Sequence, residues 1–428
     1  MGEQAILEVQ AWEALDSRGT PTVGCEVILS DGSHGSAVVP SGASTGRHEA
    51  VELRDGGTRY GGAGVLTAVA NVEGPLAQAV SGLDASDQRG VDAALRAADG
   101  TSDLGRYGAN AVLAISLATA VARASRVPLY AIDGHPPLLP MPMVNVISGG
   151  AHAGGALDIQ DVLVVPVGAR SFREAIEWAW QVRRATAECA SAQGLPTALV
   201  ADEGGLGPHL ATNRAALELV VEGIERSGLR AGTEVALAVD VAATTFADRN
   251  GYDLRSEGRR VTAAELVSEL AEWVRDFPIV SLEDVLAEDD WGGWRDATSR
   301  LDSIQLLGDD LFATNAARLR QGIEAGVANA ILVKPNQVGT LTDAYDVVTA
   351  ARQAGYNTVL SARSGDTEDS WLADLAVAWR TGQIKVGSTT RSERTAKWNR
   401  LLKIEADLGP AAPFASWPSS PDPPPPSK

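Results

Sequence analysis

The sequence predicts an α/β protein, with a small N-terminal α+β domain followed by a closed barrel of alternating strands and helices. Three observations carry this reading. Residues 1–60 are rich in β-branched residues and turn signals, and residues 61–128 are rich in alanine at helical spacing. Beyond about residue 140, short apolar runs recur, each stopping on a charged residue. With 428 residues, the chain has room for one small domain beside a large barrel.

The elements follow in order. TPTVGCEVILSDGSHGSAVVP reads as two strands joined around Asp31-Gly32, a hairpin signal. NAVLAISLATAVARA has helical spacing, and HPPLLPMP at 135–142 reads as a linker or rigid crossing. In the second block, EVALAVD ends in Asp240, FPIVSLE in Glu283, SIQLLGD in Asp309, NAILVK in Lys334, YNTVLSAR in Arg363 and GQIK in Lys385. The intervals run from 22 residues (Arg363 to Lys385) to 43 (Asp240 to Glu283), enough for a helix and two loops between strands. Continuous apolar runs suit strands buried on both faces. Helical spacing lies between them, as in TAAELVSELAEWVRDF at 262–277. A barrel would bring these six strand ends to one mouth; an open doubly wound sheet is the structural alternative. The expected divisions are a capping domain over 1–130, a catalytic barrel over 140–410 and a disordered proline-rich tail over 411–428.

Composition narrows the function. Hydrophobic residues make up 45% and charged residues 21%, which suits a globular rather than a disordered chain. There are 36 Lys and Arg against 55 Asp and Glu, a net charge of −19, which argues against nucleic acid and anionic membranes as partners. The two cysteines, Cys25 and Cys189, form no CxxC pair, so neither a disulfide framework nor a zinc knuckle is expected. No basic-then-apolar leader opens the sequence, and no apolar run reaches the ~18–20 residues of a membrane span. The expectation is a soluble cytoplasmic protein.

At a shared mouth, Asp240, Glu283 and Asp309 would place three carboxylates together, which repel one another unless a cation intervenes. Oxygen-only ligands favour Mg²⁺ or Mn²⁺. Lys334, near that metal and Lys385, is expected to have a lowered pKa and to act as a base. Metal plus lysine is equipment for taking a proton from the carbon beside a carboxylate. Asp202 and Glu203, on the glycine-flanked loop ADEGGLGP, offer an acid for a leaving group; SGASTG at 41–46 is a hydroxyl-bearing loop that could cover an anion or a metal. His152, in SGGAHAGG, reads equally well as structural or ligand-facing.

Taken together, these stretches resemble the enolase family over about residues 6–405. The matching segments are ALDSRGTPTV, VPSGASTG, ELRDGG, DEGG, Glu283-Asp284 followed by EDDWGGW, GDDLFATN, LVKPNQVGTLT, RSG with TED, and QIKVG with RSER. The resemblance implies a modified (β/α)8 TIM-type barrel behind a small α+β domain, and a homodimer or higher homo-oligomer. It implies two Mg²⁺ per active site, the first held by Asp240, Glu283 and Asp309, and the second helped by Ser44. It implies Lys334 as the base at carbon 2 and Glu203 as the acid at carbon 3. Arg363 and Ser364 would bind phosphate, Lys385 the substrate carboxylate, and His152, Gln160 and Asp161 would complete the substrate site. The substrate class implied is a small phosphorylated or phosphonylated carboxylate.

The departures from the family pattern are also specific. Ala362 replaces the histidine before Arg363, Asp161 is one methylene shorter than the usual Glu, and Asp366 shortens SGETED to SGDTED. Ser148 stands where the family has Asn, Ala201 opens the DEGG segment, and Val285 and Pro335 alter two further motifs. A kept metal-and-base set beside a changed pocket suggests a biosynthetic paralogue with an altered substrate. An ordinary glycolytic enolase and a catalytically dead binding protein are the alternatives.

Overall fold

The computed structural model describes residues 4–42 and 46–417. Three antiparallel strands, β1 (Ile6–Leu15), β2 (Pro21–Leu29) and β3 (His34–Val38), open the chain in that spatial order. The β2–β3 turn follows from Asp31-Gly32: Gly32 takes φ of 84°, and the Asp31 carboxylate accepts the Ser33 N–H at 2.8 Å. Helix Ala109–Arg123 lies against this sheet and is buried almost all round. Its approach needs Gly35, where a Cβ would lie 2.1 Å from the Ala122 backbone nitrogen. The same helix reaches the barrel, because the Ser116 hydroxyl accepts the Leu341 N–H at 3.1 Å.

Eight strands close the barrel: β4 (Met141–Ser148), β5 (Asp161–Val165), β6 (Ala236–Asp240), β10 (Ile279–Glu283), β11 (Gln305–Gly308), β12 (Ala330–Val333), β13 (Asn357–Ser361) and β14 (Gly382–Gly387). Between β6 and β10, the short strands β7 (Ala247–Asp248), β8 (Gly251–Leu254) and β9 (Arg259–Val261) form a small sheet of their own. Strand β5 runs antiparallel to both β4 and β6, and every other barrel pairing is parallel. The open-sheet alternative is excluded. The first units depart from simple alternation: a hairpin joins β4 to β5, and two helices, Phe172–Ala192 and Asn213–Arg226, precede β6.

Apolar side chains from adjacent strands, among them Met141, Leu163, Leu307 and Leu332, form one cluster of the barrel. Near the strand starts, the buried Gln305 and Gln383 side chains exchange two hydrogen bonds at 2.9 and 2.8 Å, satisfying each other where water is excluded.

Two expectations need correction. Met141 and Pro142 are barrel strand rather than linker. Disorder does not begin at residue 411: Ala415 donates its N–H to Leu139 O at 2.9 Å, and Phe414 and Trp417 pack on the apolar barrel interior. The rest of the expected tail, residues 418–428, lies outside the described residues. No helix among the described residues is long and apolar enough to cross a membrane.

Candidate active site

The predicted charged residues do meet at one end of the barrel, though not all at strand ends. Asp240 and Glu283 close β6 and β10, Asp309 and Lys334 directly follow β11 and β12, and Arg363 lies two residues past β13. Lys385 is instead inside β14, so its reading as a strand terminus is corrected. All but Glu283 line one cavity of about 30 Å³, together with His152, Gln160, Glu203, Ala362 and Ser364.

Charge is neutralised within the chain. Lys385 Nζ donates to Asp240 Oδ2 at 2.8 Å and to Glu283 Oε2 at 2.7 Å. Lys334 Nζ makes a very short contact to Asp309 Oδ2, whose other oxygen accepts Gln337 Nε2 at 3.1 Å. Burial raises the Glu283 carboxyl well above the usual carboxylate range, and the Asp240 charge adds to the rise. For Lys334, burial pulls the ammonium down, but the Asp309 carboxylate outweighs it, and the net direction is up. The expected lowering of Lys334 presupposes a neighbouring cation, whereas in this arrangement the acids face the lysines directly.

On the opposite wall, His152 Nδ1 lies 2.9 Å from Asp161 Oδ2, and Nε2 lies 3.9 Å from Glu203 Oε1. Burial opposes the imidazolium, but the Asp161 and Glu203 carboxylates outweigh it and His152 is pushed up to about 9. Asp161 does not line the cavity. It is fully buried behind His152, where Oδ1 accepts Ser148 Oγ at 2.8 Å and Asn145 Nδ2 at 2.5 Å. Its expected substrate contact is corrected to that of a residue orienting His152, because its short side chain ends in this buried network. Burial raises Glu203, but His152 and Arg394 outweigh it and hold the carboxyl below its ordinary value.

Arg363 and Ser364 line the same cavity. Arg363 donates from NH1 to Asn336 Oδ1 at 3.0 Å and to Glu49 Oε2 at 2.9 Å. The Ser364 carbonyl accepts Ser17 Oγ at 3.2 Å and Arg394 NH2 at 2.6 Å, which fixes the backbone of this turn. Ala362 lines the cavity beside them. Ser44 lies outside the described residues.

Two groups among the described residues have ligand atoms all within 4.8 Å of one another: His152–Asp161–Glu203 and Asp284–Asp309–Asp310. The first is a candidate metal cluster in which a cation and the His152 proton would compete for nitrogen. The second offers only oxygen and contains Asp309; Asp240 and Glu283 belong to neither group. Their own fit to a cation shows elsewhere, because the buried Glu283 Oε1 and Gln160 Oε1 have no hydrogen-bond partner. Oxygen donors with unmet acceptor capacity suit Mg²⁺. Mg²⁺ at about 100 times its Kd is expected to stabilise the fold by about 2.7 kcal/mol, and EDTA to remove that gain. Asp309→Asn should shift the Mg²⁺ dependence of the thermal midpoint to much higher concentration. An unchanged dependence would exclude Asp309 as a ligand.

A family model for the enolase N-terminal domain matches residues 6–132. The model for the enolase C-terminal TIM barrel domain matches residues 136–420. The chain belongs to the enolase family. An enolase-type fold, an N-terminal α+β domain and an eight-stranded barrel, accounts for why these acids and lysines converge. The site is consistent with metal-dependent enolase-type chemistry.

Several residues of the site are not marked in the sequence. Glu49 comes from the N-terminal domain, with no local pattern to mark it. Arg394 was quoted only within RSER, although its fully buried guanidinium stands 3.9 Å from Glu203. Asp284 was noted only as a motif residue, yet it accepts the Asp309 and Asp310 N–H groups at 3.0 and 2.8 Å. Burial raises it well above the carboxylate range, as do the neighbouring Asp310 and Asp309 charges. Its φ of 45° lies in a region that Asp tolerates better than most residues, a feature the sequence does not announce.

Proposed function

We propose that this enolase-family chain is a Mg²⁺-dependent enzyme of a biosynthetic branch. It would act on 2-phosphoglycerate or a phosphoryl or phosphonyl analogue to give an enolpyruvate product, in the manner of a carboxyphosphonoenolpyruvate synthase. The observation that carries this reading is the lining of one cavity. Lys334, Glu203 and Arg363 line the same cavity, and Ala362 stands there without the family's imidazole.

In this reading, Asp240, Glu283 and Asp309 hold one Mg²⁺ and Ser44 helps to hold a second. Mg²⁺ supplies charge stabilisation for the doubly negative carboxylate that forms on proton loss. Lys334 acts as the neutral amine, its ammonium proton having passed to solvent water as the substrate enters, and takes the proton from carbon 2. Glu203 takes up a proton and passes it to the oxygen leaving carbon 3, which departs as water. Arg363 and Ser364 bind the phosphorus oxyanion, Lys385 and Gln160 lie on the carboxylate side, and His152 is oriented by Asp161. A homodimer or higher oligomer is part of the proposal.

Turnover of 2-phosphoglycerate and of phosphonoglycerate analogues, followed with Mg²⁺ at the ultraviolet absorbance of the enolpyruvate, tests it. Ala362→His restores the imidazole and should raise kcat/KM for 2-phosphoglycerate, relative to the bulkier substrate, at least about tenfold. Fast parental turnover of 2-phosphoglycerate with an unchanged ratio would support the glycolytic reading instead. No turnover of any analogue, with Mg²⁺ still bound, would support a binding protein.

A further inference from the structure

Glu49 stands where a ligand should be. Its carboxylate meets the Arg363 guanidinium twice, at 2.9 Å from NH1 to Oε2 and 3.3 Å from NH2 to Oε1. Both side chains are nearly buried, at 7% and 3% exposure. Planar two-point contact is also how guanidinium holds a phosphoryl oxyanion, so the two acids would compete for one donor face. The other contacts of Glu49 come from uncharged donors: Gly46 N–H donates to Oε1 at 2.8 Å and Gln337 Nε2 at 3.4 Å.

Space points the same way. The catalytic cavity of about 30 Å³ has room for about one or two waters, so a phosphorylated acid enters only when a side chain now filling it moves. Glu49 lines that cavity and also a neighbouring one of about 340 Å³, between the capping domain and the barrel. Its carboxylate therefore has somewhere to go.

We propose that Glu49 is an internal stand-in for the substrate's phosphorus oxyanion: it holds Arg363 in place and yields it to the incoming anion by turning into the adjoining cavity. This rests on the reading of Arg363 as the anion-binding residue. It makes Glu49 a specificity-determining residue, because an anion must outcompete a carboxylate already fixed in a two-point contact.

Calorimetric titration of the Mg²⁺-loaded full-length protein with inorganic phosphate tests it. Glu49→Gln keeps the shape and removes the charge, and should bind phosphate at least about tenfold more tightly, within the usual 5–150-fold range of coupled binding. A residue that merely supported Arg363 would weaken binding when changed. Glu52→Gln, a nearby acid that lines only the larger cavity, should change affinity less than about threefold, which separates direct competition from a general field effect. If Glu49→Gln fails to fold, Glu49→Asp withdraws the carboxylate by one methylene and should also gain. Unchanged or weaker phosphate binding in whichever variant folds, or an equal gain in Glu52→Gln, overturns the proposal. Arg363→Gln should lose phosphate binding. If it does not, the anion-site reading itself fails, a result distinct from any seen at Glu49.

Discussion

Lys334→Ala is expected to stop exchange of the carbon-2 proton of bound substrate with deuterium oxide and to lower kcat by roughly 10²–10⁴-fold. The fold should survive, because the Lys334 N–H still donates to Thr314 Oγ1 and Asp309 still accepts Gln337 Nε2. Glu203→Gln should behave differently. Exchange continues, since Lys334 is untouched, but loss of the carbon-3 oxygen stops. Proton NMR in deuterium oxide reads the first step, and ultraviolet absorbance reads the second. Parental exchange in Lys334→Ala would place the base on another residue and remove the centre of the proposed mechanism.

The second large effect is on stability. Arg394 is wholly buried, and donates from NH1 to Arg363 O at 2.7 Å and Val386 O at 2.9 Å, and from NH2 to Ser364 O at 2.6 Å. Arg394→Met leaves these carbonyls without their donor and takes from Glu203 one of its neighbouring cations. Removing one member of such a buried charged network costs about 3–5 kcal/mol. The urea midpoint should fall accordingly with an unchanged slope. Arg184→Met, which breaks an exposed pair with Glu188, should stay within about 0.5 kcal/mol of the parent. A loss that small for Arg394→Met would mean that water replaces the guanidinium.

What the sequence made legible follows from where chemistry is local. Asp240, Glu283, Asp309 and Lys334 each end or directly follow an apolar run, so periodicity alone placed them together. Strands β4 and β5 carry no such mark. MPMVNVIS is buried throughout and stops on no charged residue, and the antiparallel direction of β5 comes from the loop at 149–160 rather than from any pattern within the strand. Lys385 was assigned to a strand end because GQIK stops on it, but Val386 and Gly387 continue the pairing to β4. Asp161 was legible as a shortened acid, but not its direction, which depends on Ser148 and Asn145 from the neighbouring strand. Glu49 and Arg394 reach the site across the fold, 314 residues from Arg363 in one case, and no local signal encodes such a meeting.

The way the barrel closes also bears on how the chain is made. Strand β4, which begins at Met141, is flanked by β5 on one side and by β14, beginning at Gly382, on the other. Phe414 and Trp417 then cover the apolar interior from below. At about 5–20 residues per second, the ribosome reaches β14 and these aromatics only some tens of seconds after it has released β4. Throughout that interval β4 presents an unpaired apolar edge, the kind of surface that recruits other strands. The N-terminal sheet and its helices can pack as they emerge, but the barrel closes only once β14 pairs with β4. Nascent barrels of this chain thus depend on being kept apart until the last strand arrives.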